Sequence, residues 1–350
     1  MKIFLTIIYS LGFWLARAEA VVTNNLETPL TERMDTKKAE VTELVSTESA
    51  EDASLRKARN TPPVYPTCVH VDSDVAYLGI NRDEKADIYS PLHLRAGERL
   101  PAILIIHGGG FNDGDKARPR EINFATNLVL NGYICMSINY ELRKRQGEVT
   151  WPQSVYDAKA AVRWLRKNAD KLQINPDRIG VIGGSAGGNL AAMLALTQPK
   201  DGFDLSEPYG EFSPAVNCAV DFYGAVKLME YHDMKMFNQT RAEASALYEK
   251  ASPVNYAHKD APPILIVHGT ADTTVPLAQS QALDEALTKA GAEHKLVVVP
   301  DAPHTFNLQP KQRDLRPLVL GFFDRHLKEG LAVVDGGAAS HQMVIKVANP

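Results

Sequence analysis

Six short apolar runs constrain the fold of this chain more than any other feature: Ala102 to His107, Tyr133 to Asn139, Ile179 to Ile182, Cys218 to Phe222, Ile264 to His268, and Leu296 to Val299. Each has the length and the branched, apolar make-up of a strand buried on both faces. The stretches between them carry helical spacing. The clearest opens at Pro152, with Val155, Ala158, Val162 and Leu165 on one face and Lys159, Arg163 and Arg166 off it. Such alternation predicts an α/β domain with a mostly parallel central sheet and helices on both faces. Two earlier runs, Cys68 to Val71 and Lys85 to Tyr89, read as an antiparallel start to that sheet.

The ends of the chain have a different composition. Met1-Lys2, an apolar run from Ile3 to Ala16 and small residues at Ala16, Ala18 and Ala20 predict a signal peptide over residues 1–20, too short for a stable membrane span. Residues 21–60, rich in Thr, Glu, Lys, Ala and Ser, read as a flexible spacer. The domain is expected over 61–330, and the run Gly336 to Ser340 sets off a tail over 331–350. The expected location is therefore secreted or periplasmic. A net charge of -4, with no basic stripe on any predicted helix, leaves nucleic acid without a footprint. Three cysteines, Cys68, Cys135 and Cys218, make no disulfide framework, and Cys135 and Cys218 fall in strand-like runs as small core residues.

The chemistry-bearing pattern is Val181-Ile182-Gly183-Gly184-Ser185-Ala186-Gly187-Gly188, where a strand turns sharply into an alanine-rich helix. A serine at such a turn sits in a strained conformation crowded by its neighbours, so the positions two before and two after must be nearly bare. Gly183 and Gly187 meet that need, and Ser185 is the candidate nucleophile. Upstream, at the end of another strand, His107-Gly108-Gly109-Gly110-Phe111 lets backbone amides face a cavity, the requirement of an oxyanion hole. A serine hydroxyl needs a base, and the base needs an acid to orient it. Asp272 and His304 each lie just past the carboxyl end of a strand, where doubly wound sheets place their ligands. Asp221, at the end of the Cys218 to Phe222 strand, is a rival acid. Asp301 would have to fold back to reach His304. His268 reads as a structural residue under the acid loop, and His294 as a solvated one.

Taken together, these motifs resemble the α/β-hydrolase superfamily across Val64 to Gly330. His107-Gly108-Gly109-Gly110 with Gly183 to Gly188 is similar to the hormone-sensitive-lipase-like esterases and to bacterial acetyl xylan and feruloyl esterases. Ala86-Asp87-Ile88-Tyr89-Ser90-Pro91 and His268-Gly269-Thr270-Ala271-Asp272 resemble the second group. The resemblance implies an α/β-hydrolase fold with Ser185 as nucleophile, His304 as base and Asp272 as acid. It also implies backbone amides of Gly109, Gly110 and Ala186 as oxyanion donors, with His107 bracing the loop.

No cofactor is expected, and no metal, since His93, His107 and His304 lack ligand spacing. The cap insertion between Gly224 and Pro262 is short and lacks a long amphipathic stripe. Leu228, Met229, Met234, Met236 and Phe237 could wall an acyl or alcohol pocket, or be plain core. Asn238-Gln239-Thr240 matches a glycosylation sequon. The expected substrate is a small-molecule or carbohydrate ester with a short acyl group. Two other readings compete: an exopeptidase, amidase or formamidase with the same triad, and a non-catalytic binding protein of the same fold.

Overall fold

The structure, a computed structural model, describes residues 65–95, 97–205 and 207–328. The expected signal peptide, the whole of the expected spacer and the C-terminal tail lie outside these residues. Eight strands form one sheet: β1 (Val69–Val75), β2 (Ala86–Pro91), β3 (Leu100–Ile106), β4 (Ile134–Ile138), β5 (Ile174–Gly184), β6 (Cys218–Phe222), β7 (Ile264–Gly269) and β8 (His294–Val299). Their order across the sheet is β1-β2-β4-β3-β5-β6-β7-β8. The pairs β1·β2 and β2·β4 are antiparallel, and every later pair is parallel. The antiparallel start and the parallel remainder both match the sequence expectation.

Among the described residues, seven α-helices accompany the strands: α1 (Pro119–Val129), α2 (Gln153–Lys167), α3 (Ala169–Leu172), α4 (Ala186–Leu196), α5 (Ser245–Lys250), α6 (Ala278–Ala290) and α7 (Arg316–Leu327). Because side chains alternate along a strand, one strand feeds two cores. Ala102, Leu104 and Ile106 of β3 join the layer under α2, α4 and α6. Ile103 and Ile105 join Phe124 and Leu128 of α1 and Phe323 and Leu327 of α7 on the other face. Helix α4 is buried along its whole length, which is why it is built of Ala, Gly, Leu and Met with Asn189 as its single polar side chain and no polar stripe.

Two expectations need correction, and one feature of α2 was not anticipated. Strand β5 begins at Ile174, ahead of the predicted Ile179, because the polar Asn175 to Arg178 stretch continues the strand; the pairing with β3 shifts register between Leu100 and Ala102. Strand β8 begins at His294, whose ring lies within reach of Asp284 Oδ1 (3.2 Å) and Ala292 O (2.9 Å), so this histidine is partnered rather than solvated. On α2, Lys159 and Arg163 are buried, although they lie off the apolar stripe. The segment after α4 covers them: Lys159 Nζ meets Asp204 Oδ1 at 2.6 Å, and Arg163 donates to the Leu205 carbonyl. A buried ammonium needs such a partner, since burial pulls the Lys159 pKa down and Asp204 opposes it.

Cys135 and Cys218 are buried and unpaired, and Cys68 is exposed and unpaired. Among the described residues, no helix is long and apolar enough to cross a membrane.

Candidate active site

Ser185 sits between the end of β5 and the start of α4 with φ 59° and ψ -120°, a left-handed conformation that costs a non-glycine residue on the order of 1–3 kcal/mol. Its own amide donates to Phe222 O (2.8 Å), tying the turn to β6. The sharpness of the turn rests on close backbone approach. A side chain at Gly187 would put its Cβ 2.0 Å from Ile106 O, so α4 can start flush against β3 only with glycine there.

The other two members arrive from neighbouring strand ends. Asp272 follows β7, and its Oδ1 accepts the backbone amides of Thr274 (2.9 Å) and Val275 (2.8 Å), which fixes the plane of the carboxylate. His304 follows β8. Its Nδ1 lies 2.6 Å from Asp272 Oδ2 and its Nε2 lies 3.1 Å from Ser185 Oγ. The acid therefore holds the proton on Nδ1 and leaves the Nε2 lone pair for the serine proton. The Asp272 side chain is fully buried, while that of His304 is 14% exposed, so only the base and the nucleophile face the cavity.

The rival acids do not reach the base. Asp221 is buried beneath the elbow, where Oδ1 accepts the Gly224 amide (2.8 Å) and Oδ2 has no partner. Asp301 is exposed, with its amide held by Thr270 Oγ1 (2.8 Å).

Gly109, Gly110 and Ala186 border the same cavity as Ser185 and His304. Gly109 adopts φ 121° and its carbonyl accepts the amides of Asn112 and Asp113 (both 3.1 Å), turning it away into the loop. Any Cβ at Gly109 would fall 1.8 Å from Asp113 O, so the turn admits only glycine. His107 lies beneath this loop, stacked on Tyr140 (ring centroids 4.4 Å apart) and donating from Nδ1 to Gly108 O (2.7 Å). Burial lowers its pKa to about 4, so it remains a neutral prop.

The cavity has a volume of about 540 Å³. Of the five cap residues singled out from sequence, only Met234 borders it. Leu228, Met236 and Phe237 are core, and Met229 packs against that core. The cap instead presents Tyr231 and His232 to the cavity, because its short 3-10 turns are pinned from below. Asn189 donates to Ala225 O (2.7 Å), and Gln279 Oε1 accepts the amides of Val226 (2.9 Å) and Lys227 (2.8 Å). Asn238 of the sequon is exposed.

Sequence reasoning passed over one group at the floor of the site. The Tyr223 ring packs on His304 (centroids 4.8 Å apart), and its hydroxyl donates to Phe306 O (2.6 Å), holding the histidine loop. Arg120 donates to the same hydroxyl (3.2 Å) and, through Nε (2.8 Å) and Nη2 (2.6 Å), to Glu121 Oε1. The signal was thin: Tyr223 follows a strand end, and Arg120-Glu121 follows the glycine loop.

The sheet order and the elbow define an α/β-hydrolase fold with a hydrogen-bonded Ser-His-Asp triad at its strand ends. The chain belongs to the BD-FAE family, whose model matches residues 86–287. It is similar to the esterase LipQ of Mycobacterium tuberculosis, 32% identical over 272 residues that cover 75% of this chain and 63% of LipQ. The chain thus spans less than two thirds of that relative's length. Among solved structures, a truncated carbohydrate esterase from gut microbiota matches with TM-score 0.67 and 26% identity, covering 76% of this chain and 99% of that one. Esterase 2 of Thermogutta terrifontis, solved phosphorylated by paraoxon, matches with TM-score 0.60 and 27% identity, covering 74% and 94%.

Proposed function

We propose that the protein is a serine carboxylesterase that cleaves short-chain acyl esters through an acyl-enzyme, and that it acts outside the cytoplasm on acetyl or feruloyl esters of carbohydrates. The observation that carries the hydrolytic part is the continuous chain of contacts Ser185 Oγ, His304 Nε2, His304 Nδ1 and Asp272 Oδ2 at the edge of a single cavity. Ser185 Oγ attacks the ester carbonyl as His304 Nε2 takes its proton. The backbone amides of Gly109, Gly110 and Ala186 then receive the oxyanion. His304 returns the proton to the departing alcohol, and a water activated by the same nitrogen releases the acid. Esterases among the relatives and structural neighbours support the ester bond as the target. The modest cavity and short cap favour small acyl groups, and the likeness to a carbohydrate esterase favours a sugar alcohol. The signal-like residues 1–20 favour export.

Ser185→Ala should abolish turnover of p-nitrophenyl acetate with the melting temperature kept; retained turnover refutes the assignment. A panel of p-nitrophenyl esters of rising chain length, with acetylated xylan and methyl ferulate, then separates deacetylase, feruloyl esterase and lipase.

A further inference from the structure

Behind the triad acid lies a second histidine with its own partner. His268, the last side chain of β7 before Gly269, is wholly buried. Its Nε2 lies 2.9 Å from Val275 O and 3.3 Å from Asp272 Oδ2, and its Nδ1 lies 2.7 Å from Ser280 Oγ on α6. A carbonyl and a carboxylate can only accept, so the proton sits on Nε2. Burial holds the His268 pKa below its ordinary value, so the ring is neutral and Nδ1 carries a lone pair. Ser280 must therefore donate. The hydroxyl on α6 complements the tautomer that the Val275 carbonyl and Asp272 impose, in which the N–H faces both acceptors. A structural residue under the acid loop, the role expected from sequence, needs no such hydrogen bond to the acid.

We propose that His268 and Ser280 are positioning residues of the triad: Ser280 holds the His268 ring in place through Nδ1, and His268 Nε2–H, divided between Val275 O and Asp272 Oδ2, shares the oxygen that orients His304. The proposal rests on Ser185, His304 and Asp272 being the working triad. Asp272 Oδ2 then serves two imidazoles, the nearer at 2.6 Å and the farther at 3.3 Å, while Oδ1 is held by two amides. Sharing the charge weakens its pull on the His304 proton and keeps that imidazole ready to act as a base. The other ionisable groups facing this pair are Tyr223 at the end of β6 and Tyr231 in the cap, whose phenols burial pushes up to about 12; both stay neutral across the working range.

The test compares His268→Leu, His268→Gln and Ser280→Ala with wild type on p-nitrophenyl acetate, reading kcat, KM and the pH profile of kcat/KM. His268→Leu, which removes the donor, should lower kcat by about tenfold at unchanged KM. It should also move the acid limb of the profile up by about half a pH unit. His268→Gln, which can keep an N–H at the Nε2 position, should recover most of both effects. Ser280→Ala should lower kcat by about threefold at unchanged KM. A profile and kcat equal to wild type in His268→Leu, or a glutamine variant no better than leucine, overturns the proposal. Should the leucine variant not fold, unchanged kcat in Ser280→Ala overturns it alone. These outcomes are distinct from failure of the triad itself, which would appear as turnover surviving in Ser185→Ala.

Discussion

Asp221 makes a pH-dependent stability prediction whose sign and size follow from its surroundings. It lies on β6 opposite Gly183, under the first turn of α4, with one hydrogen bond from the Gly224 amide and an orphaned Oδ2. Desolvation raises its pKa to about 7, with only the Gly224 amide opposing. The positive end of α4 also favours the anion, but a helix terminus is worth only about 1 kcal/mol, too little to offset full burial. The folded state thus holds a proton that the unfolded chain, with an ordinary carboxyl, has already released. Stability from this group is complete below about pH 4 and is lost as the pH rises to about 7. At about 1.4 kcal/mol per pH unit, the loss approaches ~4 kcal/mol.

Asp221→Asn keeps the acceptor for Gly224 and cannot ionise. Its stability relative to wild type, measured by guanidinium unfolding, should therefore grow by roughly 2 to 3 kcal/mol between pH 5 and pH 8. Other buried carboxyls with raised pKa, Glu121 and Asp157 among them, titrate in both proteins and cancel in the difference. A gap that stays constant with pH would show that Asp221 is already ionised when folded, and the desolvation argument would fall.

Two further perturbations act on the frame of the site. Gly187→Ala places a methyl 2.0 Å from the Ile106 carbonyl, a backbone atom in the middle of the sheet. The variant should lose at least about 3 kcal/mol, seen as a lower melting temperature, and should react poorly with a fluorophosphonate probe. Tyr223→Phe strands the Phe306 carbonyl and one Arg120 donor, a cost of about 1–3 kcal/mol. Because Phe306 is two residues past His304, kcat should fall along with the melting temperature; a fall in stability with kcat intact would separate the tyrosine from catalysis.

The parts of the molecule readable from sequence are those fixed by local rules. The strands β3 to β7 announced themselves as apolar runs because the middle of a parallel sheet is buried on both faces, whereas β8 at the edge leaves Lys295 and Val298 exposed. Ser185, Asp272 and His304 stood out because each follows such a run directly, at the edge where the structure gathers them. Where local character and tertiary context diverge, the reading failed. Asn175 to Arg178 lack the apolar character of a buried strand yet extend β5, and Lys159 and Arg163, off the apolar stripe of α2, are buried under the chain after α4. The Arg120 to Tyr223 contact joins residues 103 apart, and no periodicity or spacing encodes it. The tautomer of His268 likewise depends on a carbonyl and a carboxylate seven and four residues on, brought back over its ring by the acid loop.

The separation of Ser185 from His304 by 119 residues carries a consequence for the life of the chain. The elbow and its supporting strands belong to the middle of the sequence, whereas the base arrives on the last loop before α7. Helix α7 in turn seals the sheet, with Phe323 and Leu327 lying against Gly180 of β5. On the proposed triad, a chain made from its N-terminus carries an inert serine until the segment holding His304 and the helix that follows it have been made and docked. Reactivity then waits on one late segment: copies that stop before His304 hold Ser185 without its base.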